Sequence, residues 1–171
     1  MKKLLVLLLA ITLCFSMVAC GDSSSSEPKQ GDLKKAVSLI KDAEEIAVSM
    51  GNIEVSHWDV DWNLMMNALF TDDGYERFME TSYSDSIKKD IEKCYQGRRN
   101  AKAKLAEARE IIATGGSGEE YQAVKEYYSE VSAFVTFVSN FPEGYSENTF
   151  TTALAEYKKD CQTAYSETQL Y

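Results

Sequence analysis

From residue 32 onward, apolar residues return at intervals of three and four. Leu33, Ala36, Ile40, Ala43, Ala47 and Met50 step 3-4-3-4-3, which puts them on one face of a helix. Asp32, just ahead of them, is of a type that caps helix N-termini. Ile87, Ile91, Cys94, Ala101, Leu105, Ala108 and Ile112 form a longer stripe, interrupted at the one seam position held by Arg98. Ser84 or Asp85 can start this helix and Gly115-Gly116 stop it, for a length of roughly 40 Å at about 1.5 Å per residue.

Tyr121, Val124, Tyr128, Val131, Val135 and Val138 repeat the same spacing, widened by Tyr127, Phe134 and Phe141 and ended by Pro142 and Gly144. The β-branched residues in this run suit a strand, but their period is helical. Ser117 with Glu120 offers a capping box at its start. Ser146 can cap a last helix carrying Phe150, Leu154, Tyr157, Cys161, Ala164 and Thr168. Such stripes stay dry only when packed against one another. Short joints at 114–117 and 142–146 make sequential helices antiparallel neighbours. The fold expected is all-α: an antiparallel up-and-down bundle of about four helices over 32–171.

Residues 51–83 are the ambiguous stretch. Ile53, Val55, Trp58, Val60 and Trp62 fit a period of two, whereas Trp58, Trp62, Met65 or Met66 and Leu69 fit one helical face. Helix is favoured, because no partner strand exists elsewhere and 64–69 are mostly helix formers. Gly51-Asn52 would then be a kink or short break, and Thr71-Asp72-Asp73-Gly74 a turn.

The first residues follow a different pattern. Lys2 and Lys3 precede an apolar run from Leu4 to Val18, the layout of an export signal. That run, about 15 residues, falls short of the roughly 20 that span a bilayer. Met17-Val18-Ala19-Cys20 resembles the lipobox of bacterial lipoproteins, in which a small residue precedes the modified cysteine. The resemblance implies cleavage after residue 19 and a thioether-linked diacylglycerol on Cys20, which then anchors the chain at the extracytoplasmic face of the cell membrane. Met17 departs from the leucine most often found there. Residues 20–31, with Ser23 to Ser26, Glu27 and Pro28, have almost nothing to bury and read as a disordered tether. A random coil of that length holds a domain roughly 15 to 20 Å from the membrane.

Removing 1–19 leaves 16 basic and 27 acidic side chains, a net charge of about −11. That balance argues against nucleic acid as a partner. Basic residues nevertheless gather on the second long helix, at Lys88, Lys89, Lys93, Arg98, Arg99, Lys102, Lys104 and Arg109. Acidic neighbours can neutralise them, or they can serve an anionic envelope component or acidic partner. Arg98, set on the apolar seam, must be paired or reach the rim.

Little else carries chemistry. Asp59-Val60-Asp61-Trp62-Asn63 copies the opening of a calcium loop, but Leu64 stands where glycine is required and Phe70 where glutamate is required. His57 is the one histidine, so a zinc site has little to be made from, and it reads as an ordinary residue near the junction. No metal or cofactor is expected. Thr114 to Gly118 lacks a P-loop lysine and precedes Glu119-Glu120, so it reads as a helix stop. The tyrosines at helical spacing read as core-edge residues, with Trp58 and Trp62 the better centre for any ligand platform. Cys94 and Cys161 both fall on apolar seams; helix starts at one level would separate them by roughly 10 Å, beyond the 7 Å limit for a disulfide, though slippage leaves the bond open.

The function expected is a lipid-anchored, non-catalytic binding or interaction module of the cell envelope, with a protein or envelope component as partner. Trp58, Trp62 and Arg98 are its candidate ligand-binding residues. The alternatives are a carboxylate-based enzyme or ligand site near Trp58 and Trp62, and a structural accessory subunit.

Overall fold

A computed structural model of the chain describes residues 30–60, 68, 71–140 and 144–171. Among them the protein is all-α, with five helices: α1 (Gln30–Ser56), α2 (Asp72–Met79), α3 (Asp85–Ala113), α4 (Glu119–Asn140) and α5 (Glu147–Thr168). Four are long, as the stripes predict, and the short α2 is the addition. Expectations about Cys20, Asp61, Trp62, Met65 and Phe141 lie outside the described residues.

Side-chain pairs set the helix directions. Lys35 meets Glu107, Asp42 meets Lys104, and His57 meets Asp90, so α1 and α3 are antiparallel. Lys41 lies over the Tyr165 ring and Trp58 reaches Phe150, so α5 is antiparallel to α1 as well. The same holds for α4 and α5, where Tyr127 meets Tyr165 and Phe137 meets Phe150. The four long helices therefore run up, down, up and down. α1 and α4 pack against each other and against both remaining helices, whereas α3 and α5 stay apart across the long diagonal. The core lies along that α1–α4 contact.

The six stripe residues of α1 are all buried, and Ile91, Cys94, Ala101, Leu105, Ala108 and Ile112 are buried on α3. At roughly 25 cal/mol per Å² of apolar surface removed from water, these stripes supply the main drive to fold. On α4 the core runs through Tyr127, which is fully buried, while Tyr128 is left half-buried on the side facing α3.

Several local expectations are corrected. α1 continues unbroken through Gly51-Asn52. Gly51 serves close packing, because a Cβ there would lie 2.4 Å from Leu154 Cδ1. Thr71 to Gly74 starts a helix, with Thr71 Oγ1 accepting from the Gly74 amide at 2.9 Å. Asp72 and Asp73 thus sit where a helix dipole favours negative charge. α4 begins at Glu119, where Gly118 O accepts from Gln122 N, and a capping box forms at Ser146 with Thr149. At the other end, α1 begins at Gln30, so Asp32 belongs to its first turn and Gln30-Gly31 to the helix instead of the tether.

Candidate functional site

The cations of the basic helix α3 differ in what they meet. Lys104 Nζ donates to Asp42 Oδ2 at 2.6 Å, Lys93 Nζ to Asp90 Oδ1 at 3.0 Å, and Lys88 Nζ to the Met79 carbonyl at 2.7 Å. Arg99 Nη1 donates to Tyr95 Oη at 2.9 Å, and Tyr95 Oη in turn donates to Asp72 Oδ1, clasping α2 to α3. Neutralisation by acidic neighbours, one of the two readings open from sequence, holds for Lys93, Arg99 and Lys104. Asp90, accepting from both His57 and Lys93, is held below the usual aspartate range, chiefly by the His57 hydrogen bond.

A groove opens between α3 and α4. Lys102, Leu105, Ala106, Arg109, Glu110 and Ala113 of α3 oppose Tyr128, Ser132, Val135 and Thr136 of α4 across a groove of about 510 Å³. Its cause is side-chain size. Ala106, Ala113, Ser132 and Thr136 are too small to fill the space between the helices, while Leu105 and Val135 form an apolar floor. At the closed end, Tyr121 Oη donates to the Ile112 carbonyl at 2.8 Å and joins the two helices. Packing between α3 and α4 is sparser than between α1 and α3 or between α4 and α5, which leaves room for the groove.

Its electrostatics are asymmetric. Lys102 and Arg109 make no ion pair among the described residues, and Glu110 is the one acid among the lining residues. Partial burial, followed by repulsion from Arg98, pulls the Lys102 ammonium below its ordinary value. Ser132 Oγ is sealed from water with no hydrogen-bond partner. The groove thus sets two cations on one rim above an apolar floor.

Of the ligand-binding residues expected from sequence, Trp62 lies outside the described residues, while Trp58 and Arg98 stand apart. Trp58 is half-buried, its ring 5.5 Å from Phe150, so it packs on the core. Arg98 is eight residues beyond Asp90, which faces His57 beside Trp58, so it stands about 12 Å further along the bundle. It lies beside Lys102 at the end of the groove, and it is Lys102 and Arg109 that line it. The signal that identifies the groove in sequence is the stripe Lys102, Ala106, Arg109, Ala113, where small residues alternate with cations at helical spacing.

A second cluster gathers at the far end of α1. Glu54 is 1% exposed and neither carboxylate oxygen has a partner; burial pushes its carboxyl well above the usual glutamate range. Cys94 lies beside it, its thiol donating weakly to the Met50 carbonyl at 3.9 Å and pushed strongly upward by burial. Cys161 is equally buried, its thiol pushed up to about 12, and both cysteines are free. They belong to helices that do not pack together, which gives no disulfide its geometry. A sealed, protonated thiol is not poised as a nucleophile. Among the described residues no set of three or more acids, histidines or cysteines is arranged to hold a metal, and no helix is long and apolar enough to cross a membrane.

Comparison with family models, curated proteins and solved structures finds no match, so the functional reading rests on this geometry.

Proposed function

We propose that the protein is a lipid-anchored, extracytoplasmic binding module that engages its partner through the α3–α4 groove and performs no chemistry on it. One observation carries the reading: Lys102 and Arg109 stand over an apolar floor without the ion pairs that neutralise Lys93, Arg99 and Lys104. Cations left without an ion pair among the described residues are available to a partner. The lipobox at Cys20 supports placement at the membrane surface, and the tether after it supplies short reach.

A photo-reactive residue at Ala106, exposed in the groove, tests this in intact cells against the same group at Gln162, exposed on α5 across the bundle. Capture from Ala106 and not from Gln162 is expected. Equal capture from the two positions would remove the groove as the binding face.

A further inference from the structure

We propose that the occupant of the groove is an amphipathic helix of an acidic partner protein, about three turns long, carrying two acids seven residues apart. This rests on the reading of the groove as the binding face and specifies what fills it. Lys102 and Arg109 are seven residues apart on one helix, a separation of about 10 Å. A helix laid alongside α3 offers carboxylates at that spacing when they too are seven residues apart, two turns along one face. Residues three and four places on from the first acid then point at Ala106, Leu105 and Val135, so they must be apolar. The small side chains at Ala106, Ala113, Ser132 and Thr136 let a helix approach closely, completing the packing that α3 and α4 leave sparse.

A strand suits the groove poorly. Both walls are helices whose backbone groups bond within themselves, so no edge is presented to an extended chain. A helix brings its own backbone bonds satisfied and needs only side-chain complementarity. Glu110 on the same rim disfavours an occupant with acids along its whole length and so limits where the partner's charges fall. A second copy of this chain fits less well. Asp160 and Glu167 on α5 are exposed and seven apart, but the exposed residues between them are Gln162, Thr163 and Ser166, so no large apolar side chain is offered.

The test is the identity of the captured segment. Photo-crosslinks from Ala106 and Ala113 in intact cells are digested and sequenced by mass spectrometry, and the captured segment is synthesised and titrated onto the full mature chain in detergent. The expected segment has helical apolar periodicity and acids seven apart, and gains helicity by circular dichroism on binding. Exchanging its two acids for lysine should weaken binding at least tenfold, and Lys102→Glu with Arg109→Glu should restore it. A captured segment that is basic or strand-like, a peptide of this chain itself, or a lipid or glycan adduct would overturn the helical occupant while leaving the groove as the binding face. Absence of capture above the Gln162 control would instead remove the groove reading beneath it.

Discussion

Tyr127 Oη donates to Glu44 Oε2 at 2.5 Å, joining α1 to α4 across the short diagonal of the bundle. Lys41 Nζ donates to the same carboxylate oxygen at 3.0 Å and lies 4.7 Å from the centre of the Tyr165 ring, so one buried acid links three helices. Burial and this hydrogen bond hold the Tyr127 hydroxyl protonated well past its ordinary range. The buried carboxylate is tolerated because Tyr127 and Lys41 both donate to it, Lys41 itself lying over the Tyr165 ring.

Tyr127→Phe keeps the ring and deletes the donor. Removing one partner from a buried charged acceptor should cost about 1 to 3 kcal/mol. Urea unfolding should show a lower midpoint at unchanged slope; an unchanged midpoint would mean that Glu44 is satisfied from elsewhere.

Glu54 should make stability fall as pH rises. Its folded carboxyl is raised above the ordinary value of 4.5, so beyond that pH the unfolded chain releases a proton that the folded chain retains. Each pH unit then removes up to about 1.4 kcal/mol, until the folded value is reached. Below pH 4.5 the penalty disappears. Asp90, lowered by His57 and Lys93, acts in the opposite sense and in a different window: its contribution is present above the usual aspartate value and lost as pH falls below it. Unfolding midpoints of the wild type and Glu54→Gln between pH 4 and 7 separate the two effects, and parallel curves would contradict the assignment to Glu54.

Gly51→Ala sets helix propensity against packing. Alanine gains about 1 kcal/mol in a helix interior, yet its methyl would meet Leu154, itself buried, and overpacking costs roughly 1 to 3 kcal/mol. We expect net destabilisation, with Leu154→Ala less costly in the Gly51→Ala background than alone. Additive effects in a double-mutant cycle would show that the two residues do not compete for space.

The Gly51 case shows what a pattern reading sees. All six predicted seam residues of α1 are buried because a helix repeats them on one face, and that periodicity is local. Glycine at position 51 reads locally as a break, whereas its reason sits on α5, about a hundred residues away. Tyr127 and Tyr128 illustrate the same limit: adjacent in sequence, they differ in burial because the rotation of α4 is set by its neighbours. The heptad-like spacing selects Tyr128, and packing against α1 selects Tyr127. Glu44 and Glu54 flank the apolar seam, where composition alone assigns carboxylates to solvent. The groove was the least legible feature, because it arises where small residues from two separate helices face each other.

Cys20→Ala tests the anchor. The variant should leave the membrane fraction or be mislocalised, and should lack acyl-chain mass. Membrane retention with the acyl mass intact would remove Cys20 as the lipid attachment point.

The most direct measurement of the central claim compares folding and capture in Lys102→Glu with Arg109→Glu. If these cations serve a partner and not the fold, the unfolding midpoint should shift by no more than the equivalent of about 0.5 kcal/mol, as at ordinary surface positions. Capture from a photo-reactive Ala106 in intact cells should meanwhile fall at least tenfold. Undiminished capture, or a loss of stability that accounts for the loss of capture, would contradict the assignment of the groove as the protein's working face.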